Sequence, residues 1–256
     1  MSSSPRLVLT ALPGIPHIHA GDDLVRVILE GLARADEALY DGDALVVTSK
    51  IVSKAEGRLI DLAAVQPGEQ AQQIAAVTGK DPRMVELVLR ESTEISRAAP
   101  NVLVVRHRLG FVSANAGIDQ SNVEAGDERA LLLPADPDSS ARQLRDGLYR
   151  QTGTWAGIVI SDSHGRPFRI GNVGTAVGVA GMPALLDLRG KPDMFGRVLK
   201  ISITAYADMV ASAAALLTGE GAEGLPVVLV RGLGFPPNDG RAADLNRPPE
   251  QDLYRR

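Results

Sequence analysis

Four short polar runs in this chain carry residue types suited to phosphate and metal chemistry. The first, Thr48-Ser49-Lys50-Ile51-Val52-Ser53-Lys54, follows directly on an apolar run that starts at Ala44. The ends of buried strands are where α/β proteins present ligand-binding groups. If the run is helical, Lys50 and Lys54 fall one turn apart on one face, with Arg58 a turn further. Two or three cations beside hydroxyls suit a polyphosphate, although a solvated basic helix face has the same pattern. The second run, Asn115-Ala116-Gly117-Ile118-Asp119-Gln120-Ser121-Asn122, places small and carboxamide residues around one carboxylate. The third is an apolar stretch, residues 158–161, that ends in Asp162 and Ser163 and is followed by Arg166 and Arg169. Magnesium or manganese is held by one or two carboxylates, a hydroxyl, substrate phosphate and water. Either run alone also reads as a polar loop with an Asx-turn. The fourth, Thr218-Gly219-Glu220-Gly221, reads equally as a glycine C-cap with an exposed glutamate.

Familiar nucleotide and nucleophile motifs are absent. Gly79-Lys80 is followed by Asp81 and Gly190-Lys191 by Pro192, so neither is a P-loop. Gly171, Gly174, Gly178 and Gly181 do not fit the dinucleotide-binding spacing. Ser163 and His164 are adjacent, a relation that seldom lets two side chains face each other, and no nucleophile elbow surrounds them. His17 and His19 share one side of an extended segment but lack ligand partners. The 256 residues contain no cysteine, which excludes thiolate catalysis, disulfides, zinc–thiolate sites and iron–sulfur clusters together.

The elements that must position these runs follow from periodicity and punctuation. Residues 7–12 read as a strand, broken by Pro13-Gly14 and Pro16. A helix extends from Asp22 or Asp23, as cap, to about Tyr40, with Leu24, Val25, Ile28, Leu29 and Leu32 at helical spacing. Residues 44–48 form a short buried strand, and helices are expected over 69–78 and 81–90. Strands at 102–105 and 111–113 flank a turn. A helix capped by Ser139 or Ser140 runs through Tyr149, a strand spans 157–161, an Ala-rich helix spans 204–217, and a last strand spans 225–231. The last twenty residues carry three prolines and read as a surface tail. Irregular alternation of this kind indicates an α/β or α+β fold.

Composition bounds the partners. Hydrophobic residues at 45% fit a globular chain, and aromatics at only 4% require a core of Ala, Val, Leu and Ile. The 27 basic residues against 31 acidic ones give a net charge of -4, which speaks against bulk electrostatic binding of nucleic acid. The N-terminus lacks a signal-peptide pattern, and the glycine-studded stretch 170–186 falls short of the ~20 apolar residues of a membrane span. A soluble cytoplasmic protein is expected.

In order along nearly the whole chain, these segments resemble the coenzyme F420-0:L-glutamate ligase family, the gamma-glutamyl ligases of deazaflavin coenzyme biosynthesis. The resemblance is carried by Leu12-Pro13-Gly14-Ile15, by the run from Thr48-Ser49-Lys50 to Gly57-Arg58, and by Gly117-Ile118-Asp119-Gln120-Ser121-Asn122-Val123. It continues in Ser161-Asp162-Ser163-His164-Gly165-Arg166-Pro167-Phe168-Arg169 and in the 226–232 segment. The resemblance implies an α+β ligase domain over residues 1–246 with a tail over 247–256, in an intertwined homodimer. The chain stops soon after Pro248-Pro249-Glu250 and so resembles the family's stand-alone form rather than the form fused to a reductase-like domain.

The reaction implied is GTP-dependent: the F420-0 carboxylate takes the γ-phosphate, and the amine of L-glutamate then displaces phosphate, once or more than once. By position, the resemblance places Leu12, Pro13, Gly14 and Ile15 on the nucleotide, with Ser49, Lys50 and Lys54 beside the phosphates and Asn122 touching the nucleotide. Asp119 and Asp162 would hold one divalent metal and Ser163 a second, with Glu220 as a further ligand; the cations would be magnesium or manganese, with potassium in addition. Lys50, Lys54, Asp119 and Asp162 are the expected catalytic set. Arg166 and Arg169 are candidates for substrate anions from their spacing after the metal run. The motifs leave open a non-catalytic deazaflavin or nucleotide carrier, and a ligase for a related deazaflavin or another amino acid.

Overall fold

The apolar runs around Leu45, Ile158 and Leu229 are buried on both faces, so each must sit inside a sheet covered on two sides. The computed structural model describes residues 4–121, 128–236 and 238–252. Its elements are, in order, β1 (Val8–Ala11), α1 (Leu24–Arg34), β2 (Ala44–Thr48), α2 (Ser49–Ala55), β3 (Leu59–Asp61), α3 (Glu69–Thr78), α4 (Pro82–Arg90), β4 (Ser92–Ala99), β5 (Val102–His107), β6 (Val112–Ala114), β7 (Arg129–Leu131), α5 (Pro137–Thr152), β8 (Gly157–Arg166), β9 (Arg169–Ala180), β10 (Leu185–Asp187), β11 (Ile203–Ala205), α6 (Tyr206–Thr218) and β12 (Val227–Arg231). The fold is mixed α and β. Among the described residues no helix is long and apolar enough to cross a membrane.

The main sheet has the order β1-β12-β2-β8-β9, and only β2 and β8 run parallel, with Ala44 opposite Gly157 and Thr48 opposite Ser161. Helices α1, α2 and α5 supply the side chains packed on one face, among them Ile28, Ile51 and Leu148. The other face is covered by the alanines of α6, with Val210. The core is built from Ala, Val, Leu and Ile with two methionines, as the scarcity of aromatics requires. A parallel pair needs a crossover, and here residues 49–156 supply it. Within that crossover, β3–β7, β4–β5–β6, α3 and α4 enclose a second core around Leu62, Val85, Val88, Leu103 and Val105, forming a small lobe.

Strand β9 is pressed between two helices by a bulge. Ile160 pairs with Gly178 but Ser161 pairs with Ala176, so Val177 is the extra residue. The parity change turns Gly178 to one face and Gly174 to the other. A β-carbon on Gly178 would lie 2.4 Å from the Pro137 carbonyl oxygen of α5, and one on Gly174 would lie 2.5 Å from the Ala211 carbonyl oxygen of α6. Only glycine permits both approaches.

Several expectations change. The first helix keeps its Asp23 cap, which accepts from the amides of Val25 and Arg26, but it stops at Arg34 because Asp36 adopts a left-handed φ of 53°. Helix α5 is capped by Asp136, not by Ser139 or Ser140, with Pro137 at the first turn where its missing N–H costs nothing. Strand β8 continues past Ser161 to Arg166, and the glycine-studded stretch after it is its antiparallel partner β9. Strand β4 and the β10–β11 pair were not read from the sequence. The tail is not wholly superficial: Ala242 is buried, and its amide donates to the Asp138 carboxylate that also accepts from Val179.

A carboxylate holds the small lobe against the sheet. Glu91, almost buried, accepts from Arg58 just beyond α2 at 2.8 Å and from Arg108 at 2.8 Å, with His107 Nε2 3.5 Å away. Arg58 and Arg108 also donate to the carbonyls of Leu133 and Ala135 in the segment between β7 and α5. Burial pushes the Glu91 carboxyl up, but His107, Arg108 and Arg58 together pull it down to about 2. Its contribution is therefore complete above the ordinary carboxylate range and is lost as pH falls toward 2, an effect on the order of 3 kcal/mol. Denaturant unfolding across that window is expected to show wild type and Glu91→Gln converging in stability as the pH drops. Parallel curves would contradict the assignment.

Candidate active site

The pairing of β2 with β8 ends at Thr48 and Ser161, so the residues that follow these two meet. Ser49 opens α2 and its hydroxyl donates to Asp162 Oδ1 at 2.8 Å. The small lobe delivers Asp119 to the same place: its amide and carbonyl exchange hydrogen bonds with Leu131, the last residue of β7, at 3.0 and 2.8 Å. Lys50 Nζ then lies 2.7 Å from Asp119 Oδ2 and donates to the Ser121 hydroxyl at 3.0 Å. Burial works against the Asp119 charge, but the bonds from Lys50 and Ser121 outweigh it and hold the carboxyl below its usual range. The carboxylate is ionised at neutral pH.

The loop before Asp119 is tightly folded. Asn115, Ala116 and Gly117 take φ values of 50°, 55° and 65° in succession, a conformation costly for the first two. A β-carbon on Gly117 would stand 2.9 Å from Leu133 and 3.5 Å from Asp162 Oδ2. The two carboxylate-bearing segments are thus in direct packing contact. From the opposite face of the sheet end, Ser163 donates to Glu220 Oε1 at 2.5 Å, which ties β8 to the loop after α6.

These groups edge a cleft of about 550 Å³, walled by Ile15, Lys50, Lys54, Asp162, Ser163 and Glu220. Asp119 does not itself line the cleft and reaches it through Lys50. Of the Leu12-Pro13-Gly14-Ile15 run, Ile15 alone is on the wall; Leu12 is wholly buried in the core, and the Gly14 carbonyl accepts from Arg34. Arg58 is drawn away to Glu91 because α2 ends at Ala55, so it does not continue the lysine face. Arg166 and Arg169 pair with each other across the β8–β9 hairpin tip and do not line the cleft. Asn122 lies outside the described residues.

The sequence reading missed three features. His17 and Ile18 belong to the near wall, and the far wall runs on from the expected Gly219–Gly221 run through Ala222, Gly224, Leu225 and Pro226. The glycines of that segment were the available signal. His164, dismissed as a partner for Ser163, has its Nε2 3.0 Å from Asp162 Oδ2, because residues two apart on a strand share a face and neighbours do not.

All the donors expected to hold a metal are carboxylate or hydroxyl oxygens, the set that hard cations such as magnesium and manganese take. They stand in three pairs: Asp119 with Lys50, Asp162 with Ser49, and Ser163 with Glu220. Among the described residues no three acidic or histidine side chains converge on one point.

Residues 14–232, which include the whole cleft, match the model of the F420-0:Gamma-glutamyl ligase family. The chain belongs to this family. A coenzyme F420:L-glutamate ligase of Methanothermobacter thermautotrophicus is 45% identical to it over 249 residues, covering 96% of this chain and 98% of that protein. The one from Methanopyrus kandleri is 42% identical over 261 residues, covering 100% of both chains. The one from Archaeoglobus fulgidus is 42% identical over 251 residues, covering 98% of this chain and 97% of its own.

For this member of the gamma-glutamyl ligase family the close approach at Gly117 makes a direct test. Gly117→Ala adds a methyl group at a left-handed position against Leu133, and is expected to cost about 1–3 kcal/mol in thermal or denaturant unfolding. An unchanged stability would show that the loop is not packed against Asp162 as described.

Proposed function

We propose that this chain is a ligase that joins L-glutamate to F420-0 through an amide bond, consuming GTP and releasing GDP and phosphate. The observation that carries the reading is the meeting of Ser49 with Asp162 and of Lys50 with Asp119 where the β2–β8 pairing ends, beside a cleft lined by Lys50, Lys54, Asp162 and Glu220. A carboxylate is a poor acylating agent, so the reaction needs a leaving group before the amine can attack. An oxygen of the F420-0 carboxylate attacks the γ-phosphorus, the bond to the β–γ bridging oxygen breaks, and GDP departs. The glutamate amine attacks the acyl carbon, phosphate leaves with the bonding pair and the carboxylate oxygen, and the amine loses its proton.

This chemistry requires positioning and charge neutralisation and no protein nucleophile. Lys50 and Lys54, on one face of α2 and both on the cleft wall, would neutralise the phosphates. Ile15, with Leu12, Pro13 and Gly14 behind it and with Asn122, would take the rest of the nucleotide. Asp119 and Asp162 would hold one divalent cation and Ser163 and Glu220 a second. When bound, magnesium or manganese, with potassium as a further cation, would neutralise the phosphate oxygens. Arg166 and Arg169 would meet the acidic groups of F420-0 from outside the cleft, and successive glutamates would be added at the same centre.

We read the assembly as a homodimer. Phe168 and Ile170 at the β8–β9 tip, and Met194, Phe195 and Ile201 on the extension between β10 and β11, are almost fully exposed. Apolar surface on two protruding hairpins is suited to a second copy of the chain.

Isotope transfer tests the chemistry. With F420-0 labelled with oxygen-18 in its carboxylate, one labelled oxygen is expected in the inorganic phosphate for each first glutamate joined to F420-0. Phosphate free of label would overturn the acyl-phosphate route.

A further inference from the structure

The third polar run contains a histidine that the reaction above does not use, and its surroundings assign it a role. We propose that His164 is a positioning residue for Asp162, holding the carboxylate in the direction from which it takes its cation; this rests on the reading of Asp162 as a metal ligand.

Asp162 is gripped at both oxygens. Oδ1 accepts from the Ser49 hydroxyl at 2.8 Å, which comes from the neighbouring parallel strand end. Oδ2 lies 3.0 Å from His164 Nε2, two residues further on the same strand. That contact is close but bent away from a straight hydrogen bond, and among the described residues the buried Nε2 makes no other hydrogen bond. A buried polar nitrogen with a single group near it is committed to that group, because leaving it unpaired costs free energy.

The imidazole is itself fixed from behind. The Phe111 ring lies 4.8 Å from it at a tilt of 45°, and on its other side Phe111 is stacked on His107 at 4.9 Å with an interplanar angle of 4°. His107 is wholly buried; its Nδ1 accepts the Leu109 amide, and its Nε2 lies 3.5 Å from Glu91. The ladder from His107 through Phe111 to His164 therefore runs from the Glu91 clamp of the small lobe to the carboxylate on β8. A core histidine that merely fills space would need none of these polar contacts.

A separate cavity of about 160 Å³ beside His164 has Phe111, Thr175 and Asp208 on its wall, and the Asp208 carboxyl interacts electrostatically with the imidazole. Rotation of the Asp162 carboxylate is thus restrained by Ser49 on one side and His164 on the other. Loss of such an outer partner typically weakens a metal site about 10–100-fold.

Binding of Mn2+ alone to the purified full chain, followed by the electron paramagnetic resonance signal of free Mn2+, separates the outcomes. His164→Phe keeps the ring against Phe111 but removes the nitrogen, and is expected to raise the Mn2+ dissociation constant about 10–100-fold with an unchanged thermal midpoint. His164→Gln, which returns a polar nitrogen near Oδ2, is expected to restore most of the affinity. Phe111→Leu, which keeps the imidazole and loosens its support, is expected to fall between; it carries the test if His164→Phe does not fold. Wild-type affinity in both His164→Phe and Phe111→Leu, with affinity lost in Asp162→Asn, would overturn the proposal and leave the metal reading standing. Mn2+ binding unaffected by Asp162→Asn, or absent from the wild type, would overturn both.

Discussion

The parallel register of β2 against β8 is the constraint on which the rest of the molecule depends. With Thr48 opposite Ser161, the next residues of the two strands are obliged to meet, and they are Ser49 and Asp162. No hairpin can join parallel neighbours, so the chain must travel out and back between them. Everything from α2 to α5, including the small lobe and Asp119, lies on that excursion. The second carboxylate therefore arrives above the strand ends because of the same connection that pairs the strands. Glu91 ties that excursion together, by binding Arg58 near its start and Arg108 near its middle.

A net charge of -4 seems at odds with a site built for phosphates and acidic substrates. Net charge governs long-range behaviour, whereas a cleft is governed by the groups within a Debye length of it. Lys50 and Lys54 line the wall, while three other cations are engaged elsewhere: Arg58 and Arg108 at Glu91, and Arg34 partly at the Gly14 carbonyl. The acids at the site, Asp119, Asp162 and Glu220, are the groups a divalent cation would need. The chain is thus acidic overall, while the cleft wall takes two cations, Lys50 and Lys54, from one short helix.

Much of this was legible before the fold was known. An apolar run followed at once by hydroxyls and lysines marks a buried strand feeding a helix, and β2 and α2 lie where that pattern puts them. Asp119 and Asp162 stood out as lone carboxylates among small residues, and the packing of Gly117 against Asp162 brings their segments together. What stayed hidden depends on partners remote in sequence. Arg58 looked like a third cation of the lysine face because nothing local reveals that Glu91 claims it. Polar residues after Ser161 looked like a loop, since the strand they continue is held only by glycine-rich β9. With β8 ended too early, the two-residue period linking Asp162 to His164 could not be applied. Leu12 looked like a ligand-binding residue in a Pro-Gly segment, but its side chain fills the core beside Gly31.

Mass spectrometry of F420-0 incubated with the protein, GTP, Mn2+ and L-glutamate tests the central claim most directly, because it reads the bond rather than an intermediate. The account predicts a deazaflavin heavier by one or more glutamyl residues, formed with GDP, and no such product from the Asp162→Asn protein. Unchanged F420-0 with the wild-type chain, or equal product from wild type and Asp162→Asn, would contradict it.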